Sequence, residues 1–165
     1  MNDHHITSER KEYLCRKKEI LYRKAHGKII LNTYLSKVAY MFPSEEKPEI
    51  LSLEETDVIL ERFRYAFAGI FKKTTEISTH NLCTELSAIQ GSGKSFYVLI
   101  DDDWKYCGML KVDKIETLDV AIEFGRKILN DLFFISVDMS LTVSFDFFEM
   151  DGDYLIEIEK RCKPA

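Results

Sequence analysis

A period of two is clearest in Ser140–Lys160, SLTVSFDFFEMDGDYLIEIEK. Leu141, Val143, Phe145 and Phe147 alternate with Thr142, Ser144 and Asp146. Farther on, Tyr154, Ile156 and Ile158 alternate with Leu155, Glu157 and Glu159. Successive strand side chains point to opposite faces, so each run has one buried face and one wet face. Between the runs lies Asp151-Gly152, a pair that accepts positive φ at both central turn positions and suits the twist of a hairpin. The pattern predicts a β-hairpin, which is marginal in water alone and needs further elements on its apolar face.

Upstream, Phe96–Ile100 reads as a compact apolar strand, Asp101-Asp102-Asp103 as a turn, and Lys105–Val112 as a strand pairing back. Thr117–Phe134 carries a helical stripe at Leu118, Ala121, Ile122, Gly125, Ile128, Leu129 and Leu132. From Phe96 the predicted order is β-β-α-β-β, an antiparallel sheet with that helix on one side.

The N-terminal half is helical in pattern. Ser8–His26 repeats Tyr13, Leu14, Ile20 and Leu21 at seven-residue spacing, with Gly27 as its predicted stop. Lys28–Phe42 has a fuller stripe at Leu31, Tyr34, Leu35, Val38, Met41 and Phe42, closed by Pro43. After a loop at Pro43–Leu51, Ser52-Leu53-Glu54-Glu55 fits a capping box. It opens a helix to about Lys73, buried along Ile59, Phe63, Ala66, Phe67 and Ile70. Thr74–Lys94 is a polar Gly/Ser-containing linker with a short helix near Leu82–Ile89. The fold class is therefore α+β. About three N-terminal helices in residues 1–94 pack with or beside the antiparallel sheet of 95–165, in one compact domain.

Composition narrows the class without naming a function. At 45% hydrophobic and 31% charged, the chain of 165 residues is a globular protein rather than a disordered one. No apolar run approaches the roughly 20 residues of a membrane helix, so no membrane partner is expected. The start, MNDHHITSERKEYLCRKK, lacks the apolar core of a secretory signal. Cys15, Cys83, Cys107 and Cys162 form no CxxC pair, which points to reduced thiols and a cytoplasmic protein.

The net charge of -5 conceals an asymmetry. Residues 1–82 hold 14 basic and 12 acidic side chains, residues 83–165 hold 9 and 16, and Met1–Ile30 alone holds 8 and 4. The basic pole is the first helix, and the acidic surface belongs to the sheet half.

Among chemical motifs, Gly91-Ser92-Gly93-Lys94-Ser95 resembles the end of a phosphate-binding loop. That loop needs a first glycine where Ala88 stands, a strand before it and a helix after it. Here a polar stretch precedes and a strand follows, so it reads as a connecting loop. The Asp101–Asp103 turn offers three carboxylates for a divalent ion, with Asp151 and Asp153 able to join if both turns share one end of the sheet. Asp103-Trp104-Lys105 fits the D-x-K fragment of some metal nucleases but lacks its acidic partner on a preceding strand. His80 and Cys83 have the spacing of half a zinc site, with no second pair near. His4, His5 and His26 sit at tolerated surface positions, and no nucleophile signature is visible. No catalytic residue, metal or cofactor is assigned.

Two surfaces remain. The basic helix, with Arg16, Lys17, Lys18, Arg23 and Lys24 beside Tyr13 and Tyr22, is suited to phosphates, although a sequence pI near 5.4 disfavours a dedicated nucleic-acid binder. The acidic surface groups Asp101, Asp102, Asp103, Glu149, Asp151, Asp153, Glu157 and Glu159 with Trp104, Tyr106, Phe148 and Tyr154. Aromatic anchors within one sign of charge suit an interface steered toward a basic protein. The expectation is a small cytoplasmic protein-binding module, of the inhibitor, immunity-protein or antitoxin kind, that neutralises a basic partner such as a nuclease toxin. A nucleic-acid-associated protein and a metal-dependent enzyme at Asp101–Asp103 are the alternatives.

Overall fold

The computed structural model describes the backbone of residues 3–165 and side chains from residue 7 onward; the side chains of His4 and His5 lie outside the described residues. Four helices, α1 (Asp3–Met41), α2 (Leu53–Ala66), α3 (Leu82–Gln90) and the single turn α4 (Trp104–Cys107), accompany one sheet. Its strands are β1 (Glu49–Ile50), β2 (Lys73–Ser78), β3 (Phe96–Ile100), β4 (Leu110–Val112), β5 (Asp131–Ser136), β6 (Leu141–Met150) and β7 (Asp153–Cys162). They lie in the order β1-β4-β3-β5-β6-β7-β2, with every neighbouring pair antiparallel. The fold is α+β.

The hairpin forms as its sequence predicts. Asp151 and Gly152 both take positive φ, 54° and 86°, and ten residue pairs from Met150↔Asp153 to Leu141↔Cys162 follow from that turn. The capping box also forms: Ser52 Oγ accepts from Glu55 N at 3.1 Å, and Ser52 N donates to the Glu55 carboxylate at 2.9 Å. The helix it opens ends at Ala66, short of Lys73, and the chain then turns through Gly69 into the edge strand β2.

Four predictions give way to packing. Gly27 does not stop a helix, since α1 runs through it. A Cβ at residue 27 would collide with the Tyr106 carbonyl oxygen, so glycine is there for close approach to α4. The segment 105–112 splits into α4 and β4, separated by Gly108 at φ 93°, where a Cβ would strike the Leu51 carbonyl. Thr74–Lys94 is ordered as β2, a 3-10 turn at Thr79–Asn81, and α3. The helix expected over Thr117–Phe134 is absent. Its first part is an irregular segment whose Leu118, Ile122 and Ile128 are buried, and its last part is β5 at the middle of the sheet. Leu132–Ile135 is apolar on both faces because both faces are covered, and periodicity cannot tell such a strand from a helix.

The sheet separates two cores. On one face Phe96, Val98, Phe134, Val143, Phe145, Ile156 and Ile158 pack under α3, the C-terminal half of α1 and the 115–128 segment. On the other, Tyr97, Leu99 and Ile135 pack under α2 through Ile59, Leu60 and Phe67. α2 covers only part of that second face. Beyond it the face of β6, β7 and β2 is open, and there the candidate site lies.

Candidate functional site

The register of the open face is set by backbone pairing. Asp131 of β5 stands opposite Asp146 of β6, Asp146 opposite Glu157 of β7, and Glu157 opposite Glu76 of β2. Paired residues of antiparallel strands share a face, so four carboxylates form one row across four strands. At strand spacings near 4.8 Å the row is about 15 Å long. The next row carries Ser144 and Glu159, and Phe148 pairs with Leu155 on the same face.

Two nearby lysines are engaged by other carboxylates, Lys72 at 3.3 Å from Glu159 and Lys105 at 2.6 Å from Asp102, while Arg161, which lines the same face, is paired with no carboxylate among the described residues. Among the described residues none of the four row carboxylates forms an ion pair. The Asp131 carboxyl is pushed above the usual carboxylate range, first by burial and then by the charges of Asp101, Asp102 and Asp146. Its position ties the row to the Asp101–Asp103 turn. Between that turn, α2 and the row is a cleft of about 510 Å³, with Phe63, Trp104 and Phe133 as its aromatic wall. Phe63 and Phe133 meet edge to face at 5.2 Å, and the Arg161 guanidinium lies 5.8 Å over the Phe63 ring.

The predicted interface residues divide. Asp102 and Trp104 line the cleft. Asp101 does not belong to any partner surface: it is 3% exposed and holds the fold together. Its Oδ1 accepts from the N–H groups of Leu129, Asn130 and Asp131 at 3.1, 2.8 and 3.2 Å, and its Oδ2 takes Lys37 Nζ at 2.5 Å. Lys37, 5% exposed, also stands 2.9 Å from Asp103. Burial alone would lower the Lys37 pKa, but its bonds to Asp101 and Asp103 outweigh that and raise it. An ammonium therefore already occupies the position where a divalent ion would have to bind those two carboxylates.

Both turns lie at one end of the sheet, since Ile100, Leu132, Phe145 and Ile158 share a level. The hairpin continues five residues past that level, about 17 Å. Asp151 and Asp153 are thus some 20 Å from the Asp101–Asp103 turn and form no single site with it. Phe148 and Tyr154 fall on opposite faces: Tyr154 stacks on Phe147 at 5.7 Å, which stacks on Phe124 at 5.4 Å. Glu149 pairs with Tyr154, away from the acidic row.

The remaining motifs are accounted for locally. In Gly91–Ser95 a helix precedes and a strand follows, the reverse of a phosphate-binding loop, and Lys94 pairs with Asp138 at 2.7 Å. All four cysteines are free thiols. Burial, with the Asp103 charge, pushes Cys107 up to about 11, so it is no activated nucleophile. Of the five basic helix residues, Arg23 is held by both Asp57 oxygens at 2.8 and 3.0 Å and by the Lys105 carbonyl, and Lys24 by Glu54 at 2.6 Å. Arg16, Lys17 and Lys18 remain exposed.

Sequence reasoning placed Glu157 on the acidic surface but missed Asp131, Asp146 and Glu76 and the row the four form. The Asp151-Gly152 turn already implied that Asp146 faces Glu157; the other two partners come from strands far away in the chain. Among the described residues no group of three or more His, Cys, Asp or Glu side chains is placed to hold a metal ion, and no helix is long and apolar enough to cross a membrane. Comparison with protein-family models, with curated proteins and with solved structures finds no match to this chain.

Proposed function

We propose that this protein is a binding module whose acidic sheet face captures a basic protein. The observation that carries the reading is the row Asp131–Asp146–Glu157–Glu76 on an uncovered sheet face. Like charges directly opposite one another on a sheet are destabilising, and lysines or arginines of a partner relieve that cost when they dock between them. The cleft at one end of the row supplies the apolar complement, with Trp104 as anchor and Asp102 at its rim. Carboxylates steer the encounter while the buried aromatic contacts hold the complex. This profile resembles that of small acidic inhibitors, immunity proteins and antitoxins that neutralise cationic nucleases, an analogy of function rather than of fold. Four unpaired cysteines suit a reducing, cytoplasmic setting.

The test has two steps. The tagged protein is used to retain partners from a nuclease-treated native extract, eluted in rising salt, beside an Asp146→Lys/Glu157→Lys variant. A basic protein held by the wild type and lost from the variant is then purified for association kinetics. Charge reversal should slow association on the order of tenfold or more at low salt, with the gap closing as salt rises. Equal association rates for the two proteins would overturn the reading.

A further inference from the structure

α1 is too long for the body it packs against. Its inward side is set by His26, Gly27, Tyr34, Val38 and Met41, and from Arg23 and Lys24 onward it is tied to α2 and α4. Residues 7 to 19 are exposed throughout. A helix with so little tertiary support is marginal in water, which makes the chemistry of its outer face informative.

That face is segregated by charge. At about 3.6 residues per turn, Leu14, Leu21, Tyr22, Ala25 and Ile29 fall on the side opposite Gly27 and Tyr34. Leu21, Tyr22 and Ile29 are 58%, 66% and 79% exposed, so the stripe is not covered by the fold. Lys11 and Lys18 lie in the same column as Ala25, and Lys28 follows Leu21 by one heptad, with Arg10 and Lys17 along one border. The three glutamates lie elsewhere: Glu12 and Glu19 are in the heptad column of His26, and Glu9 is in that of Arg23, both on the inward side. The outer face thus interleaves exposed Leu14, Leu21, Tyr22 and Ile29 with Lys11, Lys18 and Lys28, and none of the three glutamates lies on it.

We infer that the outer face of α1 is a docking surface for an anionic lipid bilayer, lying in the interface rather than crossing it. Leucine, isoleucine and tyrosine side chains enter the acyl boundary, and the interspersed lysines extend their ammonium groups to lipid phosphates and carboxylates. The lysines among these apolar residues set the sign of the partner. The exposed leucine and isoleucine side chains favour lipid over nucleic acid, because phosphate backbones are met by cations and gain nothing from exposed Leu21 and Ile29. Two such faces would repel each other, which disfavours pairing of α1 with a second copy.

The test is co-sedimentation of the full chain with vesicles of phosphatidylcholine alone and of equal parts phosphatidylserine and phosphatidylcholine, beside a duplex oligonucleotide in a mobility assay. Binding is expected only to the phosphatidylserine vesicles, falling as salt rises. Leu21→Ser/Ile29→Ser should weaken it on the order of tenfold or more, with the circular dichroism of the body unchanged. Lys18→Gln and Lys28→Gln should each weaken it about fivefold. Absence of sedimentation, or equal sedimentation with both vesicle types, would overturn the inference. Oligonucleotide binding that survives Leu21→Ser/Ile29→Ser, with no vesicle binding, would assign the face to nucleic acid instead. The acidic row plays no part here, so Asp146→Lys/Glu157→Lys should keep vesicle binding; each reading can fail without the other.

Discussion

Neutralising the middle of the acidic row by Asp146→Asn should make the protein more stable. Asp146 faces Asp131 on one side and Glu157 on the other and makes no hydrogen bond or ion pair among the described residues, so the amide loses nothing and removes two repulsions. Two unit charges about 5 Å apart in a water-like dielectric repel by about 0.8 kcal/mol, and a Debye length near 8 Å at physiological salt roughly halves that. Cross-strand pairs of this kind are worth about 0.2–1 kcal/mol each, so the two together give a gain of about 1 kcal/mol. For a chain of this size the melting temperature should rise about 2–4 °C.

The assay is urea unfolding at pH 7 in low and high salt, read by the midpoint at constant m-value. The gain should shrink in high salt. It should also vanish as pH falls through the carboxylate range. Because the folded-state pKa of Asp131 is raised, by burial first and by neighbouring charge, its ionisation costs stability above that pKa, and the cost disappears on protonation. An Asp146→Asn protein no more stable than wild type at low salt would refute the argument and remove the physical basis of the proposed interface. A gain in stability with loss of basic-partner binding is the behaviour of a surface kept for function.

Three further outcomes follow from the fold. Lys37→Met leaves buried Asp101 and half-buried Asp103 without their ammonium and should cost about 3–5 kcal/mol by urea unfolding at pH 7; a loss under about 1 kcal/mol would contradict the ion triad. Asp138, hydrogen-bonded by Lys94, Ser136 and Ser140, has its carboxyl held well below the usual range. It therefore stabilises the fold above about pH 4, its unfolded value, and that contribution is lost as pH falls. Asp138→Asn should accordingly lower stability at pH 7 and flatten the acid limb of a stability–pH profile. Gly27→Ala should destabilise the protein in thermal melts despite the roughly 1 kcal/mol helix-propensity gain, because the new methyl meets the Tyr106 carbonyl.

Much of the architecture was legible along the chain, because it is local. The hairpin over Leu141–Cys162 follows from alternation and one Asp-Gly turn, the start of α2 from Ser52 and Glu55, and β3 from five consecutive apolar residues. Even the face-to-face pair Asp146–Glu157 is implied by counting back from the turn. Tertiary structure decided whatever depends on distant neighbours. It made Leu132–Ile135 a strand, by placing it between β3 and β6 where both its faces are covered. It made Gly27 a contact rather than a stop, because Tyr106 passes against it. It took Asp101 out of the solvent, where Lys37 and three N–H groups claim it, and it brought Asp131 and Glu76 into line with the hairpin's own carboxylates. Whether Leu21 and Ile29 face the core or water was likewise settled by which side of α1 the sheet took. A short-range pattern fixes which way side chains alternate; only the packed chain determines what stands opposite them.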